Sequence, residues 1–310
     1  MRRFCRGLLL AVVLSAGASA AAAAEPLTFA AFGDMPYRQS DIAPMTRLIA
    51  AIDRSGAAFS VHVGDIKNGG SRCTDAGLLE IRDLFNRAER PLIYTPGDNE
   101  WTDCHRGGDD PLQRLQRIRD LFFAGDASFG RRPMPLERQS RDPQFRLYVE
   151  NNRWQLQGVV FATLHVVGSN DNLGRDAAND AEHAARLAAN LAWLGSTFDL
   201  ARADRAAAVV LFMQADPWLS DLFSRRSGFR ELLAAMTEQA GKFAGPVLLV
   251  HGDSHEYRID QPFEDPTRGA PLENFTRLEV PGNRDVRAVK VRFDAAAKRP
   301  FSFSLIDPPN

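Results

Sequence analysis

Cysteine is scarce in this chain of 310 residues: there are three, and Cys5 lies among the first few. No pair has CxxC spacing, so a thiolate zinc site is not expected. A basic excess is also missing. Lysine and arginine total 38 against 39 acidic residues, for a formal net charge of −1. Such a balance excludes a surface built to track a nucleic-acid backbone by charge. Beyond residue 24 no apolar run is long enough to cross a bilayer. There is no internal repeat and no clear linker. Trp101, Trp154, Trp193 and Trp218 have no spacing that suggests a stacking platform, and Trp193 falls at helical spacing with Leu187, Asn190 and Leu194, as a core residue does.

What the chain does have begins with a leader. Arg2, Arg3 and Arg6 precede an apolar stretch from Leu8 to Leu14, and small residues run from there to Glu25. This is the layout of a secretory signal over residues 1–24, cleaved between Ala20 and Ala24. The expected location is periplasmic or secreted, with no membrane anchor left after cleavage. Loss of the three arginines takes the net charge from −1 to −4. Residues 25–310 are then expected to form a single domain, and an apolar fraction of 45% supports a sizeable core. Cys73 and Cys104 remain. Each follows a Gly-Asp pair by a few residues, so their loops should be neighbours. In an oxidising compartment a disulfide is expected; two unpaired thiols are the alternative.

Strands and helices alternate along the first half. Leu27–Phe32, Phe59–Val63 and Pro91–Tyr94 read as strands, with helices over Ala43–Ser55, Gly77–Ala88 and Pro111–Phe123. Residues 129–143 read as a surface loop. Two strands, Phe145–Glu150 and Val159–Val167, are expected to join through Asn151-Asn152-Arg153. A long helix over Ala177–Phe198 precedes strand Ala207–Met213, and a helix over Phe229–Ala240 precedes strand Pro246–His251. From Phe275 to Ile306 the alternation is that of antiparallel strands. The pattern predicts an α/β fold with layered sheets.

Four of the apolar strands end in Gly-Asp: Gly33-Asp34, Gly64-Asp65, Gly97-Asp98 and Gly252-Asp253. Glycine permits a sharp turn, and the aspartate after it reaches into the crevice at the carboxyl ends of the strands. One pair can merely cap a turn. Four in register point to one site, and converging carboxylates need a cation to coexist.

The order of these motifs resembles the calcineurin-like metallophosphoesterases. That family arranges GDxH, GDxxxxG, GN-H-[DE], a later histidine and GHxH around two metal ions. The longer strings GDIKNGG and TPGDNEWTDCHR look like an exported bacterial branch of the superfamily. The resemblance implies a four-layer α/β/β/α sandwich with a dinuclear-type metal site at the strand carboxyl ends. It also implies a small phosphoester substrate hydrolysed by metal-activated water. Carried over position by position, Asp34 is a ligand of the first metal and Asp65 the bridge. Asp98 stands where the family has asparagine, Asn99 where it has the histidine that protonates the leaving group, and Gln214 where it has a strand-end histidine. Asp253 replaces the first histidine of GHxH, and His255 keeps the second. Pro36 replaces the histidine of GDxH and cannot ligate.

These departures enrich the site in oxygen. One or two divalent ions are expected, with Mn²⁺, Mg²⁺ or Ca²⁺ favoured over zinc. With Asn99 a poor proton donor, His105 and His251 are the substitutes to test, against structural or surface roles for each. Arg106 can clamp a phosphate or sit in solvent, and Tyr37 can hydrogen-bond a water or phosphate or simply pack. Gln214 can satisfy backbone groups instead of ligating, and Glu100 can support the site or face a helix end. His62 and His165 read as core, while Asn170 and Asp171 close a strand at the same rim. Besides the enzyme, two readings stand. One is a non-catalytic metal- or phosphate-binding protein on this fold; the other is a domain stabilised by structural Ca²⁺.

Overall fold

The computed structural model describes residues 25–220, 226–265 and 268–309. The expected leader, residues 1–24, lies outside them. Two sheets lie face to face. The first has strands β1 (Leu27–Phe32), β2 (Ser60–His62), β3 (Leu92–Tyr94), β13 (Ala288–Phe293) and β14 (Phe301–Ile306), in the order β14-β13-β1-β2-β3. The second has β4 (Glu137–Arg138), β5 (Asn152–Leu156), β6 (Val159–Thr163), β7 (Ala208–Phe212), β8 (Val247–His251), β9 (Arg258–Asp260) and β12 (Phe275–Glu279), in the order β4-β5-β6-β7-β8-β12-β9. A two-residue pair, β10 (Glu264–Asp265) with β11 (Ala270–Pro271), stands apart.

Strand parity builds the layers. In β1, Phe29 and Ala31 face the second sheet, while Ala30 and Phe32 face helices α1 (Ile42–Arg54), α2 (Asp75–Phe85) and α3 (Pro111–Phe122). In β7 and β8, Val210, Phe212, Leu248 and Val250 face the first sheet. Val209, Leu211, Val247 and Leu249 face the helices Ala177–Ala203 and Arg230–Lys242 on the outer side. Three apolar layers therefore separate four layers of structure, the expected α/β/β/α sandwich. The middle layer is aromatic, with Phe29 stacked on Phe59 at 5.3 Å and Trp154 on Phe161 at 5.3 Å. No helix among the described residues is long and apolar enough to cross a membrane.

Two segments differ from the sequence reading. Residues 145–150 form no strand; β5 begins at Asn152, inside the stretch read as a connection. The hairpin instead turns at Gln157-Gly158, where both residues have positive φ, 48° and 75°. Only the second demands glycine by type, so the turn signal was half hidden. The tail is not wholly antiparallel either. β12 runs parallel to β8 and joins the second sheet, and only β13 and β14 form the expected hairpin. The second change brings one more strand carboxyl end, that of β12, to the crest where the site lies.

Cys73 and Cys104 are bonded, with Cα atoms 5.7 Å apart and a separation of 31 positions in sequence. Closing a loop of that length restricts the unfolded chain by about 3–4 kcal/mol. The paired change Cys73→Ser with Cys104→Ser is therefore expected to lower the melting temperature by roughly 10 °C. Thermal denaturation of both forms checks this.

Candidate metal centre

β1, β2 and β3 run parallel, so their carboxyl ends share one edge. The ends of the parallel strands β6, β7, β8 and β12 meet them from the other sheet. The backbone turns there through conformations that L-residues rarely take. Asp34, Asp65, Asp253 and His255 have φ of 53°, 60°, 83° and 66°. Such left-handed residues carry strain and cluster at functional sites. Four more follow in a row after β6, from Ser169 to Asn172.

Two glycines of the Gly-Asp pairs, Gly97 and Gly252, do more than turn the chain: each makes room for the aspartate of another pair. A Cβ on Gly97 would lie 2.1 Å from Asp65 Oδ1. One on Gly252 would lie 2.2 Å from Asp34 Oδ2. Gly168, from the second sheet, leaves the same kind of space for Asp253 and Asp98. Any side chain at these positions would push the carboxylates apart.

The result is two overlapping groups of ligand atoms. Asp34, Asp65 and His255 have donor atoms within 4.8 Å of one another, and so do Asp65, Asp98 and Asp253. Asp65 belongs to both. Burial, reinforced by repulsion from Asp253, pushes the Asp34 carboxyl well above its ordinary range. Burial and the neighbouring Asp98 do the same to Asp65, and burial and Asp98 do it to Asp253. Asp98 is raised by burial and by Asp103. So many carboxylates in a dry site cannot all ionise without a cation.

A divalent ion fits this donor set. Asp98 Oδ1 is buried and has no hydrogen-bond partner, a free acceptor of the kind a cation takes. Burial holds the His255 ring below its ordinary value, so a nitrogen lone pair is available there. The donors are otherwise carboxylate oxygens, which suit a divalent cation.

Around the carboxylates runs a polar lattice. Tyr37 Oη is its hub. It donates to Asp65 Oδ2 at 3.0 Å, accepts from Asn99 Nδ2 at 3.2 Å and lies 2.9 Å from His255 Nε2. Asn99 Nδ2 also donates to Asp65 Oδ2 at 2.6 Å. Glu100 gathers the loops from beneath, accepting from the backbone N–H groups of Asp65, Ile66 and Gly97 and from Tyr94 Oη. It supports the site and does not face a cation. Gln214 Oε1 accepts from Gly168 N at 2.6 Å, and its Nε2 donates to Asp253 Oδ1 at 3.1 Å. The Gly168 N–H fixes which end of the amide is oxygen, so Gln214 orients Asp253 through its N–H, and its oxygen keeps a second lone pair.

The two substitute histidines lie elsewhere. His105 is exposed, with Nδ1 2.8 Å from Thr102 O. His251 is buried and faces the outer layer, its ring 6.0 Å from that of Trp218. Burial holds its imidazole down at about 4. Arg106 is engaged by Asp103 at 2.7 Å. Asp171 pairs with Arg186 and His183 beneath the left-handed turn, and Asn170 Oδ1 caps Gly228 N at 2.8 Å. His62 and His165 are fully buried, as read.

Two contributors were not read from the sequence. Ser169 Oγ lies 2.8 Å from both Asp98 Oδ2 and Asp103 Oδ1 and ties the second sheet to the first. Glu279 ends β12, hydrogen-bonds Ser254 Oγ, and is pushed up to about 7 by burial. Its only sequence signal was an acidic residue closing an apolar strand, visible once β12 is known to run parallel to β8.

Solved structures share this architecture. A dimetal phosphatase from Danio rerio aligns with 92% of this chain and 100% of its own at 11% identity, with a TM-score of 0.52. PhoD aligns with 91% of this chain and 69% of its own at 11% identity and 0.55. GAP50, the anchor in the inner membrane complex of Plasmodium, aligns with 92% and 90% at 12% identity and 0.50. No protein-family model and no curated protein matches the chain. At such identities the likeness is one of fold. The chain has the calcineurin-like metallophosphoesterase fold, a mixed α/β sandwich whose crest carries acidic groups able to hold a metal.

Proposed function

We propose that the protein is an exported, metal-dependent phosphoesterase that hydrolyses a phosphate ester. The observation that carries this reading is the pair of ligand groups sharing Asp65. Asp34, Asp65 and His255 would hold one cation, and Asp65, Asp98 and Asp253 would hold the second. When bound, such a pair supplies a nucleophilic water near neutral pH and neutralises the phosphate oxygens. The chain's own residues do the rest. Tyr37 and Asn99 fix the bridging carboxylate through Asp65 Oδ2. Gln214 and the Asp216 N–H fix Asp253. Ser169 orients Asp98. Roles for Asn99, His105 or His251 in proton transfer remain part of the proposal to be tested by substitution.

One observation favours the second reading, a non-catalytic cation- or phosphate-binding protein. Both amide protons of Asn99 are committed, to Asp65 and to Tyr37, and neither His105 nor His251 belongs to a ligand group. A leaving group that must be protonated has no imidazole waiting for it. General acid catalysis contributes on the order of 100-fold or more. Hydrolysis is therefore expected to depend steeply on the leaving group. Aryl esters such as p-nitrophenyl phosphate should turn over roughly 100-fold faster than alkyl esters with Mn²⁺, Mg²⁺ or Ca²⁺. Equal rates would require a proton donor elsewhere. Tight cation binding with no turnover of any mono- or diester would establish the second reading.

A further inference from the structure

A cavity of about 220 Å³ lies between the loop that follows β1 and the loop that joins β2 to α2; no ligand carboxylate lines it, and Tyr37 stands between it and Asp65. Tyr37 and Lys67 line it, and both also reach the candidate centre. Its floor is apolar, with Ile66 and Leu78, and Arg72 stands at its rim.

Two of the three basic groups here, Lys67 and Arg72, make no carboxylate contact among the described residues. Lys67 is half-buried, and its Nζ donates to two carbonyls, Asn68 O at 2.6 Å and Asn99 O at 2.9 Å. An ammonium has three donors, so one is left. Arg72 makes no hydrogen bond or ion pair among the described residues. Arg38, on the far wall, is already paired with Asp41 at 3.2 Å, and Glu80 is the acidic residue of the lining. The lining thus offers two cations, Lys67 and Arg72, that no carboxylate contacts directly. Arg72 adjoins Cys73, which is bonded to Cys104 in the loop of Asp98 and Asn99. Gly69, in the same loop, allows an approach to Asn99 Oδ1 that a Cβ, at 2.4 Å, would block. The disulfide anchors the backbone that carries Arg72, so the ordering cost when an anion binds falls on its side chain alone.

We propose that this cavity receives the part of the substrate beyond the scissile bond, and that Lys67 and Arg72 select a leaving group carrying its own negative charge, a carboxylate or second phosphoryl group. The inference rests on the phosphoesterase reading above and narrows it to doubly anionic esters. Tyr37 separates the two halves, with its hydroxyl on Asp65 and its ring against the cavity.

The test compares 2-phosphoglycolate with ethyl phosphate, which has a similar size and no carboxylate. Binding to the intact protein with Mg²⁺ is measured by calorimetry, and kcat/KM is measured in parallel, for the wild type and for Arg72→Glu. Arg72 is exposed, and circular dichroism confirms the fold. The wild type should favour phosphoglycolate at least tenfold, and Arg72→Glu should remove most of that ratio. No preference in the wild type, or a preference that survives in Arg72→Glu, overturns the subsite. A binding preference without turnover keeps the subsite and rejects the esterase reading. Turnover without preference does the reverse.

Discussion

Asp65→Ala is expected to lower kcat/KM for any phosphoester substrate by about a thousandfold or more, and to remove bound cation from both positions. The size follows from geometry. Asp65 alone belongs to both ligand groups, so its loss breaks each of them, whereas loss of Asp34 or Asp253 breaks one. Several kcal/mol of transition-state charge stabilisation depend on such ions, and about 4 kcal/mol is a thousandfold in rate. Asp65→Asn is the informative companion. It keeps the volume under Tyr37 Oη and Asn99 Nδ2, both of which bond Asp65, but removes the charge. In metal-free protein this variant should melt higher than the wild type, because a buried carboxyl facing Asp98 and Glu100 is neutralised. Metal analysis, kinetics and melting curves together decide. Unchanged turnover in Asp65→Ala would sink the metal-dependent assignment.

The carboxylates were legible in the sequence because each signal is local. An apolar run followed by Gly-Asp places a carboxylate at a strand end wherever that strand goes. Burial on both faces of β1, β7 and β8 was legible for the same reason, since continuous apolar runs require cover on two sides. Direction was not legible. Strand parity points His251 the same way as Leu249, into the helical layer, and the next turn then breaks parity. Asp253, with φ of 83°, re-aims the chain toward Asp34. Two residues that look alike in spacing therefore end on opposite sides of the sheet. Gln214 shows another limit. The orientation of its amide is set by Gly168, 46 residues away, which no local pattern announces. Tyr37 depends on a turn that brings its hydroxyl back over Asp65, and nothing in Met35-Pro36-Tyr37 announces that distance.

Chelation should lower the melting temperature by about 10 °C at pH 8 and by less than half as much at pH 5. Two effects of opposite sign meet in the carboxylates. Without a cation, Asp34, Asp65 and Asp253 titrate well above 3.8 in the folded protein. Above about pH 4 the unfolded chain has lost these protons while the native state still holds them. The unfolded state then binds fewer protons, and stability falls as pH rises until the raised folded values are passed. Cation binding requires the ionised ligands, so its contribution grows over the same range. A cation at 1,000 times its dissociation constant adds about 4.1 kcal/mol, which for a domain of this size is roughly 10 °C. Glu279, pushed up to about 7 by burial, also titrates between the two pH values, but it lies at the same crest and adds to the same trend. Glu150 is buried but held down at about 2 by Arg119 and His165, so its contribution is complete at both pH values. His62 and His251, kept neutral by burial at about 3 and 4, lose stability below the ordinary imidazole range, and they do so equally with and without chelator. The difference between loaded and chelated protein therefore isolates the crest of the sandwich. In Asp65→Asn that difference should vanish at both pH values. A chelator shift equal at pH 5 and pH 8, or surviving in Asp65→Asn, would place the cation somewhere other than among these carboxylates.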